Sequence, residues 1–191
     1  MNIKFAALLA AAALSVAACE QQAATPQQVS AVPAADTASA TPAAPPAAAP
    51  QTLTSSDNAV SISVTGNFQD QLGGNALPEG AEAGTILQQY DENTDITLTV
   101  VDAGKPVKPA KEYYANLKTA LEQAGFASLK AGAATENRMD YSFTDAEGNN
   151  HNCINIYSPD NLYAVCAFSS SADNATLAET LKDVKLLKKA M

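Results

Sequence analysis

Between residues 60 and 64 apolar and polar side chains alternate strictly, Val60, Ile62 and Val64 against Ser61 and Ser63. That period of two predicts a strand buried on one face. From Asn67 to Gly84 the pattern dissolves around Gly73, Gly74, Pro78 and Gly80, which predicts a long loop. Thr85–Tyr90 and Asp95–Val101 make the next pair of strands, joined by a hairpin turn at Asp91–Thr94. Gly104, Pro106 and Pro109 then carry the chain out of the sheet. The period next lengthens to that of a helix, with Tyr113, Leu117, Ala120, Leu121 and Ala124 on one face. Pro109 suits its first position, Gly125 a left-handed C-cap, and Phe126 a closing contact with Leu121. Phe126–Thr135 reads as a further extended segment.

Three strands follow as a meander, Arg138–Asp145, Asn150–Tyr157 and one starting at Leu162. Pairing Asp145 with Asn150 across Ala146–Asn149 sets Met139 opposite Ile156 and Tyr141 opposite Ile154. Pairing Tyr157 with Leu162 across Ser158–Asn161 sets Ile156 opposite Tyr163 and Ile154 opposite Val165. One face then carries Met139, Tyr141, Phe143, Ile154, Ile156, Tyr163 and Val165, and the other carries Tyr157, Leu162, Ala164 and Phe168. Both faces are apolar and both need cover. The fold class expected is α+β, a mainly antiparallel sheet with helices packed against it. A last helix is predicted from an N-cap at Asp173, with Leu177, Leu181 and Val184 at helical spacing. Lys182, Lys185, Lys188 and Lys189 crowd its end, where cations favour the helix dipole; a basic patch for anionic lipid is the alternative.

The same register places Cys153 directly opposite Cys166. Opposed Cβ atoms in a non-hydrogen-bonded antiparallel site lie close enough for a disulfide. The pair is expected to form a structural bridge that closes a loop of 14 residues and contributes roughly 3 kcal/mol. A labile redox pair is the alternative.

The start of the chain has a different character. Lys4 precedes an uncharged run, Phe5–Leu14. Ten helical residues span about 15 Å, half of the roughly 30 Å hydrocarbon core, so residues 1–18 read as a signal peptide rather than a membrane span. The run ends in Val16-Ala17-Ala18-Cys19, which resembles the lipobox of bacterial lipoproteins. That resemblance implies diacylglycerol on the Cys19 thiol, cleavage before it and acylation of the new amine, so membrane lipid is the partner expected through Cys19. The alternative is an ordinary signal peptide followed by a chance cysteine. Glu20, where such proteins often carry Asp to stay in the inner membrane, points to the outer membrane, with the domain in the periplasm. Residues 19–51 form the lipidated start and a linker. From Glu20 to Gln51 there are 12 alanines and 6 prolines in 32 residues, a composition that builds no core and breaks every helix. Its reach is roughly 30 Å as a coil and about 100 Å as polyproline II. Residues 52–191 form a single domain.

Composition narrows the chemistry. Lys and Arg number 11 against 20 Asp and Glu, a net charge of −9, which argues against nucleic acid. The single histidine, His151, lacks companions for a zinc site once the cysteines pair, so no metal and no cofactor is expected. No Gly-x-Ser-x-Gly elbow, phosphate loop or dinucleotide motif occurs. Asp91, Glu92 and Asp95, or Asp145 and Glu147, could hold calcium but fit solvated turns. Tyr113 and Tyr114 fit core and rim. Nothing in the sequence forms a catalytic centre.

The order of elements, with Tyr113, Tyr114 and Leu117 in the helix and the Ile154/Tyr163 hairpin, resembles the DcrB-like envelope lipoproteins, whose domain is PsbP-like. The resemblance covers about residues 58 to 189 and implies a non-catalytic binding or assembly accessory working on an envelope protein. Display at the cell surface to host or phage molecules is the alternative, and a small-ligand carrier with a pocket under the 66–84 loop is another.

Overall fold

The computed structural model describes residues 49–73 and 81–187. The chain divides into two units, Met1–Ala44 and Pro45–Met191, and all the described residues belong to the second. The signal peptide, Cys19 and nearly all of the expected linker therefore lie outside them. So do Lys188, Lys189 and the middle of the glycine-rich loop.

The centre of the domain is a seven-stranded antiparallel sheet. Its strands are β3 (Gln69–Asp70), β4 (Thr85–Asp91), β5 (Ile96–Asp102), β6 (Ala127–Ala131), β7 (Arg138–Thr144), β8 (Asn150–Tyr157) and β9 (Leu162–Ser169), in the order β3-β4-β5-β9-β8-β7-β6. A second, three-stranded antiparallel sheet has β2 (Val60–Thr65) between β1 (Pro50–Thr54) and β10 (Val184–Leu186). Two helices complete the domain, α1 (Ala110–Gln123) and α2 (Asn174–Thr180). The fold is thus α+β, as the alternation and the helical period predict. Among the described residues no helix is long and apolar enough to cross a membrane.

The hairpin of β8 and β9 has the register read from the sequence, with Tyr157 opposite Leu162 and Cys153 opposite Cys166. Ser158 N–H donates to Asn161 O at 2.9 Å and Asn161 N–H to Ser158 Oγ at 3.0 Å, which closes the expected four-residue turn. The hairpin of β7 and β8 is corrected by one residue. Thr144, not Asp145, lies opposite Asn150, and Met139 faces Asn155 rather than Ile156. The cause is the loop. Asp145 N–H donates to Asn149 O at 3.0 Å and Gly148 adopts φ +89°, so three residues rather than four make the turn. Glycine alone enters that left-handed region without a steric penalty, and it shortens the connection.

A slip of one residue transfers every side chain of a strand to the opposite face. Met139, Tyr141 and Phe143 accordingly share a face with His151, Cys153, Asn155 and Tyr157. That face lies under α1, where Tyr114, Leu121 and Met139 are buried together with Leu117, Phe126, Tyr141 and Tyr157 around them. Ile154, Ile156, Tyr163 and Val165 face the other way. They pack with Leu98 and Val100 against Val60 and Ile62 of β2 and against Leu177, Leu181 and Val184. Both faces of the large sheet are therefore apolar because each meets a layer, α1 on one side and the small sheet with α2 on the other.

Helix ends follow their local chemistry. Pro109 is the residue before the first turn of α1, one place earlier than expected, and its carbonyl accepts from Glu112 N–H and Tyr113 N–H. Gly125 at φ +71° turns the chain out after the C-cap. Asp173 caps α2 by accepting from Thr176 N–H at 2.8 Å. The helix is shorter than predicted. Val184, expected on its apolar face, begins β10 and pairs with Ile62, where a β-branched residue fits the ladder. Lys182 and Lys185 thus follow the helix and do not cap its dipole. β1 also begins at Pro50, two residues inside the expected linker, and β3 lies within the expected loop.

Candidate functional site

The face of the large sheet under α1 carries the unusual side chains. Asn155, on β8, is a hub between helix and sheet. Tyr113 Oη donates to Asn155 Oδ1 at 2.6 Å, Asn155 Nδ2 donates to Tyr141 Oη at 3.1 Å, and Tyr114 Oη donates to the Asn155 carbonyl at 3.3 Å. Tyr157 Oη reaches the Lys108 carbonyl at 2.9 Å. Burial pushes the Tyr113 and Tyr114 hydroxyls up, and pushes Tyr141 up to about 12. These phenols stay protonated at neutral pH, so they serve as hydrogen-bonding groups and packing surfaces rather than bases, Tyr113 and Tyr114 donating and Tyr141 accepting.

One row along the strands is aromatic. Phe143, His151 and Phe168 lie opposite one another on β7, β8 and β9. The His151 ring is stacked on Phe143 at 4.5 Å and on Phe168 at 5.3 Å between centroids, and Phe126 stacks on Phe143 at 4.1 Å. With both of its faces covered, His151 has only its edge free. Its Nε2 lies 2.8 Å from Asp145 Oδ2. Burial by itself raises the Asp145 pKa, but hydrogen bonds from the Asn149 side chain, His151 and the Asn149 backbone outweigh it and hold the carboxyl at about 2. Asp145 is therefore ionised at neutral pH, and the proton of this hydrogen bond sits on Nε2. The pair orients the imidazole and closes the β7–β8 turn.

Beside this row lies a cavity of about 360 Å³. Gln88, Thr99 and Cys166, opposite one another on β4, β5 and β9, form its floor. His151 and Phe168 bound it on one side, and Ala81, Glu82 and Thr85 on another. Thr85 Oγ1 donates to the Glu82 carbonyl at 2.6 Å, which fastens the end of the loop above the sheet. Cys166 is joined to Cys153 in a disulfide with Cα atoms 4.2 Å apart. Cys153 is buried and Cys166 half-buried at the cavity floor.

The carboxylates weighed for calcium serve separate structural ends. Asp91 is buried. Its Oδ2 accepts from Asn67 N–H at 3.1 Å, and its Oδ1 from Asn93 N–H at 2.9 Å. Gly66 is required there, because a Cβ would stand 2.7 Å from Asp91 Oδ2. Asp95 Oδ2 instead gathers the hydroxyls of Ser169, Ser170 and Ser171 and the Ser170 N–H. Among the described residues no group of three or more His, Cys, Asp or Glu side chains is placed to hold a metal ion. Tyr114 lies in the core and Tyr113 at its edge. The sequence reading missed Asn155 as a hub and Glu82 at the cavity. The His151–Phe168 neighbours were derivable from the β8–β9 register, whereas Phe143 joins them only once the β7 register is corrected.

No protein-family model matches the chain, and no curated protein matches its sequence. Among solved structures it is similar to the cyanobacterial PsbP of Synechocystis, at 10% identity and a TM-score of 0.47, covering 78% of this chain and 98% of that one. It is also similar to the Ran-binding protein Mog1p of Saccharomyces cerevisiae, at 9% identity and a TM-score of 0.46, covering 73% of this chain and 96% of that one. The functional reading rests on this chain's own residues.

Proposed function

We propose that this protein is a non-catalytic lipoprotein of the bacterial cell envelope, anchored through lipid on Cys19 and serving as a binding or assembly accessory in the periplasm. The observation that carries the non-catalytic part is the state of the reactive side chains between α1 and the large sheet and at the cavity beside them. His151 is stacked on both faces and bonded to Asp145, the two cysteines of the domain are bonded to each other, and the tyrosine hydroxyls are spent on Asn155 and on backbone carbonyls. A nucleophile with a free base beside it is what catalysis would need, and this arrangement holds geometry instead. The anchor is supported by Val16-Ala17-Ala18-Cys19 after the apolar run. With several acyl chains, each methylene contributing about 0.8 kcal/mol, such an anchor holds persistently. Glu20 favours the outer membrane.

In-cell crosslinking of the tagged, lipidated protein, followed by detergent extraction and mass spectrometry against a lipoprotein of equal abundance, tests the accessory role. One envelope complex should be enriched. Recovery of nothing beyond abundant porins would count against docking, and protease shaving of intact cells would then test surface display. Mass spectrometry of the mature N-terminus should find an acylated Cys19, and Cys19→Ser should release the protein from the membrane fraction. An unmodified Cys19 amine would remove the anchor.

A further inference from the structure

We infer that the cavity over β4, β5 and β9 binds a compact organic cation, an amine or quaternary ammonium group, with Glu82 as counter-charge and Phe168 as aromatic wall. The inference builds on the binding role proposed above and names its ligand class. Charge is the first argument. Among the described residues Glu82 is the one acidic side chain lining the cavity, and neither lysine nor arginine lines it. His151, which also lines the cavity, is hydrogen-bonded to the Asp145 carboxylate at 2.8 Å, so any charge on it is countered there. An anion entering here would meet a carboxylate with no compensating cation, and the whole chain is at −9.

Shape and surface supply the second argument. Phe168 has His151 on one face, and its neighbour on the far side in the sheet is the small Thr97. A ring flanked in this way has a face free to meet an ammonium head, the arrangement that attracts cations through the ring quadrupole. Gln88, Thr85 and Thr99 add oxygen acceptors for N–H or polarised C–H groups. At about 360 Å³ the cavity falls at the small end of the range for ligand sites. The disulfide beneath it fixes β8 and β9, so the floor is formed before the ligand arrives.

The test uses the full lipidated protein in maltoside micelles, with choline as the probe and its uncharged carbon isostere, dimethylbutanol, as the control. Choline should shift the amide resonances of Thr99, Cys166 and Phe168 in a saturable way, while the isostere leaves them in place. Glu82→Gln alters an exposed loop residue and should weaken choline binding about three- to tenfold, the effect of one partly screened charge. Phe168→Leu should weaken it further. Equal binding of the isostere, or the absence of shifts with choline, would overturn the inference. Crosslinking separates this from the accessory role: a partner enriched equally by wild type and Glu82→Gln leaves docking intact whatever choline does.

Discussion

Asn155 shows how much one side chain can decide. It lies on a strand, is 5% exposed, and serves the hydroxyls of Tyr113 and Tyr141 at once. Such a group is costly to bury and stabilising only when satisfied. Asn155→Leu strands two half-buried phenols and should cost about 2 kcal/mol in urea unfolding, whereas Tyr113→Phe removes one bond and should cost about 1 kcal/mol. If the two variants lose the same stability, Asn155 is not the hub described. The sequence marks Tyr113 and Tyr114 through helical spacing, but it does not mark Asn155, because a polar residue in a strand is usually the solvent-facing member of the alternation. Only the packing of α1 on β8 turns it inward.

At the scale of elements, the turn between β7 and β8 was the hardest feature to read and the one with most consequence. Residues 145–149 allow a three- or a four-residue loop, and the choice rests on the left-handed Gly148 and on how Asp145 spends its oxygens. Its carboxyl has a folded pKa of about 2, below the unfolded value of about 3.9. A depressed pKa contributes stability that is complete above the unfolded value and is lost as pH falls toward the folded one. Unfolding titrations should therefore show stability falling from about pH 4 to about pH 2, and Asp145→Asn should be less stable at neutral pH with a flatter acid limb. An unchanged limb would mean that the turn does not depend on the ionised carboxylate. The β8–β9 turn was legible because Ser158 and Asn161 close it locally, and the opposition of Cys153 and Cys166 followed directly. Reduction, or Cys153→Ser with Cys166→Ser, should cost roughly 3 kcal/mol. Two thiols open to alkylation in the untreated, unfolded protein would show that the bridge does not form.

The described domain was legible as a sandwiched sheet and not as a pair of sheets. Both faces of β8 and β9 are apolar, and that pattern alone calls for two covering layers. The identity of the second layer was hidden, since β1 and β10 are short and β10 owes its existence to a distant partner, β2. Val184 illustrates this: its spacing from Leu177 and Leu181 is helical, yet the open edge of β2 offers a ladder that a further turn of helix would forgo. A pocket under the 66–84 loop was among the alternatives read from the sequence, but its lining was hidden, because Glu82 meets Thr99, Cys166 and Phe168 only through the placement of that loop over strands far along the chain.

The seat of β10 on β2 brings together the two ends of the described chain. Closing so long an intervening stretch carries an entropic cost that is recovered only when the final strand docks, a topology associated with slow folding. For a chain exported amino terminus first, as proposed here, β2 emerges early and waits for its neighbour until the last segment has crossed. On that proposal the architecture delays its own completion, since the small sheet is finished only when its last strand arrives.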